Sequence, residues 1–300
     1  MYIRRPISPI PPVRRVLFAV AVPLAAILPP AAGEGQTTRD IPGPGDAVYE
    51  IQLADGSQVF ARIAELDEDG ELVVLVTVGG GRLEIDRSQI QQLRPARGRV
   101  RDGEFWSEDP GSTRLLFTST GRSLARSESY IGTYLVILPF AAVGLTDRVT
   151  IAAGAPVLFG EFEPVYIAPK VQVVRSPTVQ ASLGTLAFFF DDEVVGIAYG
   201  VGTFGDDERA LSAGLGYFYS GDDFVNEPAF MVGGETRVSR RVKLITENYV
   251  LPDALGVVLS GGIRVIGDRF NTEVAVFGAQ GDDEGGCCLP AVNFSYSFGR

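Results

Sequence analysis

From Thr113 to the C-terminus, apolar and polar residues alternate with a period of two, and no segment sustains the 3.6-residue period of a helix. Short polar turns punctuate the alternation at Thr146-Asp147-Arg148, Ser176-Pro177, Gly205-Asp206-Asp207, Ser239-Arg240 and Gly267-Asp268-Arg269. The spacings between Asp147, Pro177, Asp207, Arg240 and Asp268 are 30, 30, 33 and 28 residues. Two strands of about ten residues, a tight turn and a longer loop give such a repeat, and ten tilted residues cross an outer membrane. The alternate connections are longer: Thr120 to Ser129, Gly160 to Pro164, Asp191-Asp192-Glu193, Gly221 to Pro228, Val250 to Asp253 and Gln280 to Pro290. Counting from Leu115 to Gly299 predicts an antiparallel up-and-down β-barrel of 12 strands, or ten if Leu115–Ser119 or one other segment stays out of the wall.

Faces follow from the alternation. Val149, Ile151, Ala153, Ala155 and Val157 oppose Thr150, Ala152 and Gly154. Val195, Ile197, Tyr199 and Val201 oppose Gly196, Ala198, Gly200 and Gly202. Val257, Leu259, Ile263 and Val265 oppose Ser260, Gly262 and Arg264, and Val292, Phe294, Tyr296 and Phe298 oppose Asn293, Ser295 and Ser297. In a membrane barrel the apolar face meets lipid; in a soluble β-sandwich it turns inward. Aromatic placement favours the barrel. Phe159, Phe162, Tyr166, Phe188, Phe189, Phe190, Tyr217, Tyr219, Tyr249 and Phe277 fall near one end of their strands, and Phe204, Phe270 and Phe298 near the other. Such belts flank an aliphatic band in membrane proteins. With 12 strands both barrel ends lie on the short-turn side, the periplasm.

Residues 45–98 read as a separate unit. Five short strands with turns at Asp55-Gly56, Asp67-Glu68-Asp69-Gly70 and Gly79-Gly80-Gly81 suggest a small SH3-like or Sm-like barrel. Leu53-x-Asp55-Gly56 and Ile90-x-x-Leu93 resemble Sm-like domains. RNA binding does not carry over, because this unit holds ten acids and five arginines. A structural or protein-contacting role fits it better, with a periplasmic protein as the candidate partner. Residues 99–112 are a polar linker with the only tryptophan, Trp106.

The N-terminus changes where all this is placed. Arg4, Arg5, Arg14 and Arg15 precede an apolar run from Val16 to Leu28, and Ala31-Ala32-Gly33 follow. That order predicts a signal peptide over residues 1–33, too short for a spanning helix. Its removal leaves 22 cations against 37 anions, a net charge of −15, and argues against a nucleic-acid partner. Cys287 and Cys288, adjacent in an exported chain, form a vicinal disulfide, a partner-dependent thiol pair or a loop pair without essential role.

Candidate chemistry is sparse. The chain has no histidine, which excludes Ser-His-Asp and Cys-His triads, HExxH sites and ordinary zinc sites. No enzymatic constellation, cofactor motif or metal site is expected. Seven charges fall on the expected lumen face: Lys170, Glu235, Arg237, Lys243, Glu247, Arg264 and Glu273. A two-residue Asp268-Arg269 turn sets Arg264 opposite Glu273. These charges line a polar path for a small solute or form a salt-bridged plug. Acidic clusters at Asp191-Asp192-Glu193, Asp222-Asp223 and Asp282-Asp283-Glu284 read as solvated rims, since none has EF-hand spacing.

Asp109-Pro110-x-x-Thr113-Arg114-Leu115-x-Phe117-x-x-Thr120, followed by Gly144-Leu145-Thr146-Asp147-x-x-Thr150-Ile151, resembles an uncharacterised family of bacterial outer-membrane β-barrel-like proteins. The resemblance covers about residues 104–300 and implies the barrel without implying a cargo. The expectation is an all-β, non-enzymatic protein of the outer membrane, either a narrow passive channel or a structural envelope protein. Its partners would be the lipid of the outer membrane and, through residues 45–98, a periplasmic protein. The rival is a soluble secreted or periplasmic β-protein that binds a ligand or partner.

Overall fold

The structure is a computed structural model, and it describes residues 41–67, 69–157, 164–190, 193–252, 256–280 and 285–299. The signal-peptide segment 1–33, together with Phe159, Phe162, Asp191, Asp192 and residues 282–284, lies outside the described residues.

Five strands open the fold: β1 (Tyr49–Leu53), β2 (Gln58–Leu66), β3 (Leu72–Thr77), β4 (Arg82–Asp86) and β5 (Ile90–Pro95). They form one antiparallel sheet in the order β4-β3-β2-β1-β5. Its alternate positions supply a separate core of Ile51, Ala61, Ile63, Val73, Leu75, Ile85 and Ile90. A 3-10 turn, Arg87–Gln89, precedes β5, and the Asp86 carboxylate caps it by accepting from the Ser88 amide. A ribbon of β6 (Gly98–Arg101) and β7 (Glu104–Ser107) follows. Phe105 in this ribbon stacks on Phe60 of the sheet at 4.4 Å, which ties the two together.

The second sheet runs β8 (Ser129–Tyr134), β9 (Leu138–Thr146), β10 (Val149–Gly154), β11 (Val165–Arg175), β12 (Val179–Phe189), β13 (Val194–Gly205), β14 (Arg209–Ser220), a two-residue β15 (Asp223–Phe224), β16 (Ala229–Ser239), β17 (Val242–Val250), β18 (Val257–Ile266), β19 (Phe270–Gln280) and β20 (Gly285–Phe298). Pairing of β20 with β8, from Phe294↔Thr133 to Phe298↔Ser129, closes it. With β15 a branch on β14, the wall is a closed antiparallel barrel of 12 strands. All five short turns join strand pairs at one end. Ser129 and Phe298, the limits of the wall, pair at that same end.

The expected count survives through two compensating corrections. Leu115–Ser119 is not a wall strand; Leu115 and Leu116 are fully buried inside the barrel. Residues 130–145 are not one strand but a hairpin, reversing at Leu135 (φ 52) and Val136 (φ 68). That reversal lacks the Gly, Asn or Asp that usually marks a left-handed turn. Lumen contacts hold it: the Leu135 amide donates to Asn293 Oδ1 at 3.1 Å, and the Leu135 side chain packs on the buried cluster around Leu115. The wall therefore begins at Ser129, and 113–128 belongs to its contents. The long connection expected up to Pro290 is also shorter, since β20 pairs from Gly285 onward.

The outer face is apolar. Leu183 is 57% exposed, Leu211 55% and Leu259 60%, while Ser182, Ser212 and Arg264 on the opposite faces are at most 1% exposed. A soluble sandwich buries its apolar face; this sheet turns that face outward around a polar interior, the arrangement of a membrane barrel. Strand β13 departs from the expected facing: Val201 is buried in the lumen and Tyr199 packs there, while Gly200 pairs with the outward Leu183 and Leu215. Tyr166, Tyr249 and Phe277 likewise pack inside and leave the expected belt. Phe189, Phe190 and Tyr217 remain exposed toward the long loops, and Phe204 and Phe270 toward the short turns.

Candidate functional site

Between the ribbon and β8, residues 109–128 enter the barrel at the short-turn end, reverse near Phe117-Thr118, and leave at the same end. The two legs touch through the bridge Arg114↔Ser119 and the Leu115 amide donating to the Thr118 carbonyl at 2.9 Å. Asp109, Thr113, Arg114, Leu115, Leu116, Thr120 and Leu124 are all buried. This segment is a plug.

Its tip is held by Glu247 of β17. Glu247 Oε2 accepts from the amides of Leu116 (2.7 Å) and Phe117 (3.1 Å), and Oε1 from the Thr118 amide and hydroxyl, each at 3.1 Å. The Tyr249 hydroxyl also donates to this carboxylate. A reversing loop exposes consecutive amides without strand partners, and a carboxylate satisfies them together. Beneath the tip, Leu115 and Leu116 pack with Val201, Met231, Ile245, Ala275 and Ala291 as a small apolar core inside the lumen. Gly233 makes room for it, because a Cβ there would lie 2.4 Å from Leu115 Cδ1.

Closer to the short turns, an ion network joins plug to wall. Asp109 Oδ2 accepts from Lys243 Nζ (2.7 Å) and Arg264 Nη1 (2.8 Å), and its Oδ1 from the Gly111 amide and Asn271. Arg264 Nε donates to Glu273 Oε1 at 2.7 Å, in the paired register Arg264↔Glu273. Glu273 Oε2 accepts from Arg114 of the plug at 2.7 Å. Glu235 bridges Lys243 (3.0 Å) and plug residue Arg122 (2.5 Å). Lys170 donates to three plug carbonyls, those of Thr113 (3.3 Å), Thr120 (3.2 Å) and Arg122 (2.6 Å), and so staples one leg to the other. From the same side of the wall Gln172 and Ser182 donate to the Gly121 carbonyl, and Thr203 accepts from the Gly121 amide.

Six of the seven charges singled out in the sequence thus meet on this plug. The seventh, Arg237, sits at the mouth. It donates to the Ser107 carbonyl at 2.8 Å and lies 5.1 Å from the Trp106 ring, with Arg101 4.9 Å from the same ring. Arg99 pairs with Glu208 in the β13–β14 turn, and Arg97 with Glu128 at the foot of the plug. Amides of Arg209 and Glu208 donate to Asp206 in that turn, each at 2.9 Å, and hold its carboxyl below the usual carboxylate range. Sequence reasoning missed the plug's own charges, Asp109, Arg114 and Arg122. Arg114 and Asp109 lie in the family-like motif, and that motif was the signal: it marks a conspicuous polar segment that no wall strand needs.

Cys288 lies in β20 at φ 72 and is disulfide-bonded; the side chain of Cys287 is outside the described residues. The Asp222-Asp223 pair is exposed.

No family of known proteins matches the sequence, and no curated protein does. Among solved structures, the chain is similar to the KdgM porin in complex with disordered oligogalacturonate, at 6% identity and a TM-score of 0.44, over 57% of this chain and 98% of that one. It is similar to the NanC porin at 8% identity and a TM-score of 0.37, over 57% and 97%. It is also similar to OmpF of Salmonella typhi in complex with daunomycin, at 10% identity and a TM-score of 0.31, over 84% and 94%.

Proposed function

We propose that this chain is a non-enzymatic outer-membrane β-barrel protein of the channel class, whose passage is held shut by a plug formed by its own residues 109–128. The observation that carries this reading is the buried network between residues 109–128 and the wall. All 12 wall strands contribute at least one buried lumen-facing residue, from Tyr130 in β8 to Asn293 in β20. An open polar path would leave Lys243, Glu247 and Arg264 hydrated, whereas each is fully buried. Conduction then requires the plug to move. The apolar exterior supports a place in lipid, and the export-like N-terminus supports the outer membrane as that lipid. Residues 1–33 act as the signal, 45–98 as an SH3/Sm-like periplasmic unit, 99–112 as linker, and 113–300 as barrel with contents. The strand order of the small sheet and the 3-10 turn before its last strand support the SH3/Sm-like reading. The resemblance of residues 104–300 to the uncharacterised barrel family agrees with this.

Planar-bilayer recording tests it. The intact protein should be silent, and replacing residues 111–127 by a Gly/Ser segment of equal length should produce discrete conductance steps. A silent plug-less barrel would remove the channel reading and leave a structural wall protein. Recovery of the intact chain in the soluble periplasm without detergent would remove the barrel reading itself.

A further inference from the structure

Charge is distributed unevenly along the height of the wall. The charged residues of the 12 wall strands are Lys170, Arg175, Arg209, Glu235, Arg237, Lys243, Glu247, Arg264 and Glu273, and all lie at or below the level of the plug's tip. Between that tip and the long loops no wall strand carries a charged residue. The lumen-facing positions there are aromatic, aliphatic or small: Tyr166, Phe188, Tyr199, Phe218, Tyr249 and Phe277 among them.

Exposure changes at the same level. Along β11 the inward residues pass from buried Gln172 and Lys170 to half-buried Ala168 and Tyr166. Along β13 they pass from Thr203 and Val201 to half-buried Tyr199, Ile197 and Val195, and β17 and β19 repeat this at Tyr249 and Phe277. The plug fills the lower lumen, while the inward wall residues above it are only half-buried. Phe117, at the plug's tip, is half-buried and meets Tyr134 and Phe277 with ring centroids 5.2 and 5.3 Å apart. It forms an apolar floor.

The geometry points to this upper lumen as a binding cup for a small, uncharged, apolar molecule, aromatic or alkyl, received from the long-loop side. The inference rests on the plugged-barrel reading and adds a ligand class to it. An ion passing below the acidic rim, where Glu193 accepts from the Ser220 hydroxyl, would lose hydration and meet no charged residue of the wall strands above the plug's tip, which disfavours it. An apolar molecule would exchange water for aromatic faces and Phe117. A polar solute path requires the reverse lining.

The test uses the full-length protein in lipid nanodiscs and the uncharged fluorophore N-phenylnaphthylamine, with empty nanodiscs as background. Saturable binding above background is expected, displaced by naphthalene and not by glucose. Phe188→Glu and Phe218→Glu should each weaken binding about tenfold or more, while outward Phe230→Leu leaves it unchanged. Heat-modifiable gel mobility reports whether each variant is folded. Ala168→Trp, which fills the cup without adding charge, should give the same loss and replaces any glutamate variant that does not fold. Absence of saturable binding in an inserted, heat-modifiable protein overturns the cup and leaves the barrel standing, as does undiminished binding in the folded cup variants. A chain that does not insert overturns both.

Discussion

Arg264 has five N–H donors, and each meets an acceptor: Glu273 Oε1, Asp109 Oδ2 and the carbonyls of Gly111, Arg114 and Leu115. Three of those acceptors are main-chain atoms of the plug, so one wall side chain fixes both the charge and the path of the segment it holds. Removing one partner of a buried ion pair costs about 3–5 kcal/mol, because the other is left charged and dry. Arg264→Ala leaves Asp109 and Glu273 in that state. Its midpoint in urea unfolding, followed by heat-modifiable mobility, should fall by a corresponding amount, and Arg264→Lys should recover only part of it, since an ammonium cannot span the same acceptors. Gly233 tests the steric side. A Gly233→Ala change sets a Cβ 2.4 Å from Leu115 Cδ1 and 2.7 Å from the Thr246 carbonyl of β17, and the expected outcome is a conducting or protease-sensitive plug, with heat-modifiable mobility reporting whether the barrel has assembled. The Arg264–Glu273 register could be read from a two-residue turn, because antiparallel pairing makes it arithmetic. The contribution of Asp109 and Arg114 could not, because no periodicity links a linker residue to a wall 150 residues away.

At the scale of elements, the legible parts are those whose signal is local. Every short turn carries its Gly, Asp, Pro or Ser and appears where expected. The β8–β9 hairpin turns on Leu135 and Val136, whose left-handed conformation depends on Asn293 and the plug, so nothing near it in sequence announces it. The plug has the converse problem: Leu115–Ser119 looks like a short strand, and only the presence of a closed wall around it shows otherwise. β13 reverses the facing expected from its alternation because its bulky residues serve the plug while its glycines face outward. The ribbon supplies a reporter, since Trp106 is the chain's only tryptophan and lies between Arg101 and Arg237. The β13–β14 turn that presents Glu208 to Arg99 is itself shaped by Asp206. A depressed carboxyl pKa contributes stability above its unfolded value of 3.8 and loses it as pH falls through the lower folded value. Trp106 emission should therefore hold steady from pH 8 to about pH 4 and shift only below that. Asp206→Asn should remove the acid transition; a shift near neutral pH would disprove the assignment.

For the whole molecule, the decisive contrast is between an apolar outside and an interior layered from charged at the short-turn end to aromatic at the other. A lipid-facing cation near the bilayer midplane costs about 2–4 kcal/mol. Leu183→Arg, at mid-strand on the outer face, should lower folding stability in liposomes by that amount. Val179, on the same outer face at the short-turn end of β12, provides the comparison: Val179→Arg should cost less, about 0–1 kcal/mol. Equal tolerance at both positions would mean that the outer face does not meet lipid. Both legs of the plug pass through one mouth, and both limits of the wall lie there too. In the language of rope, residues 109–128 are a bight and not a thread: no free end has to travel through the barrel for the segment to go in or come out. The closing seam of β8 and β20 can stay zipped throughout. Withdrawal toward the ribbon would break the bonds that hold the loop to the wall, such as those to Glu247 and Arg264, and return would need no unknotting.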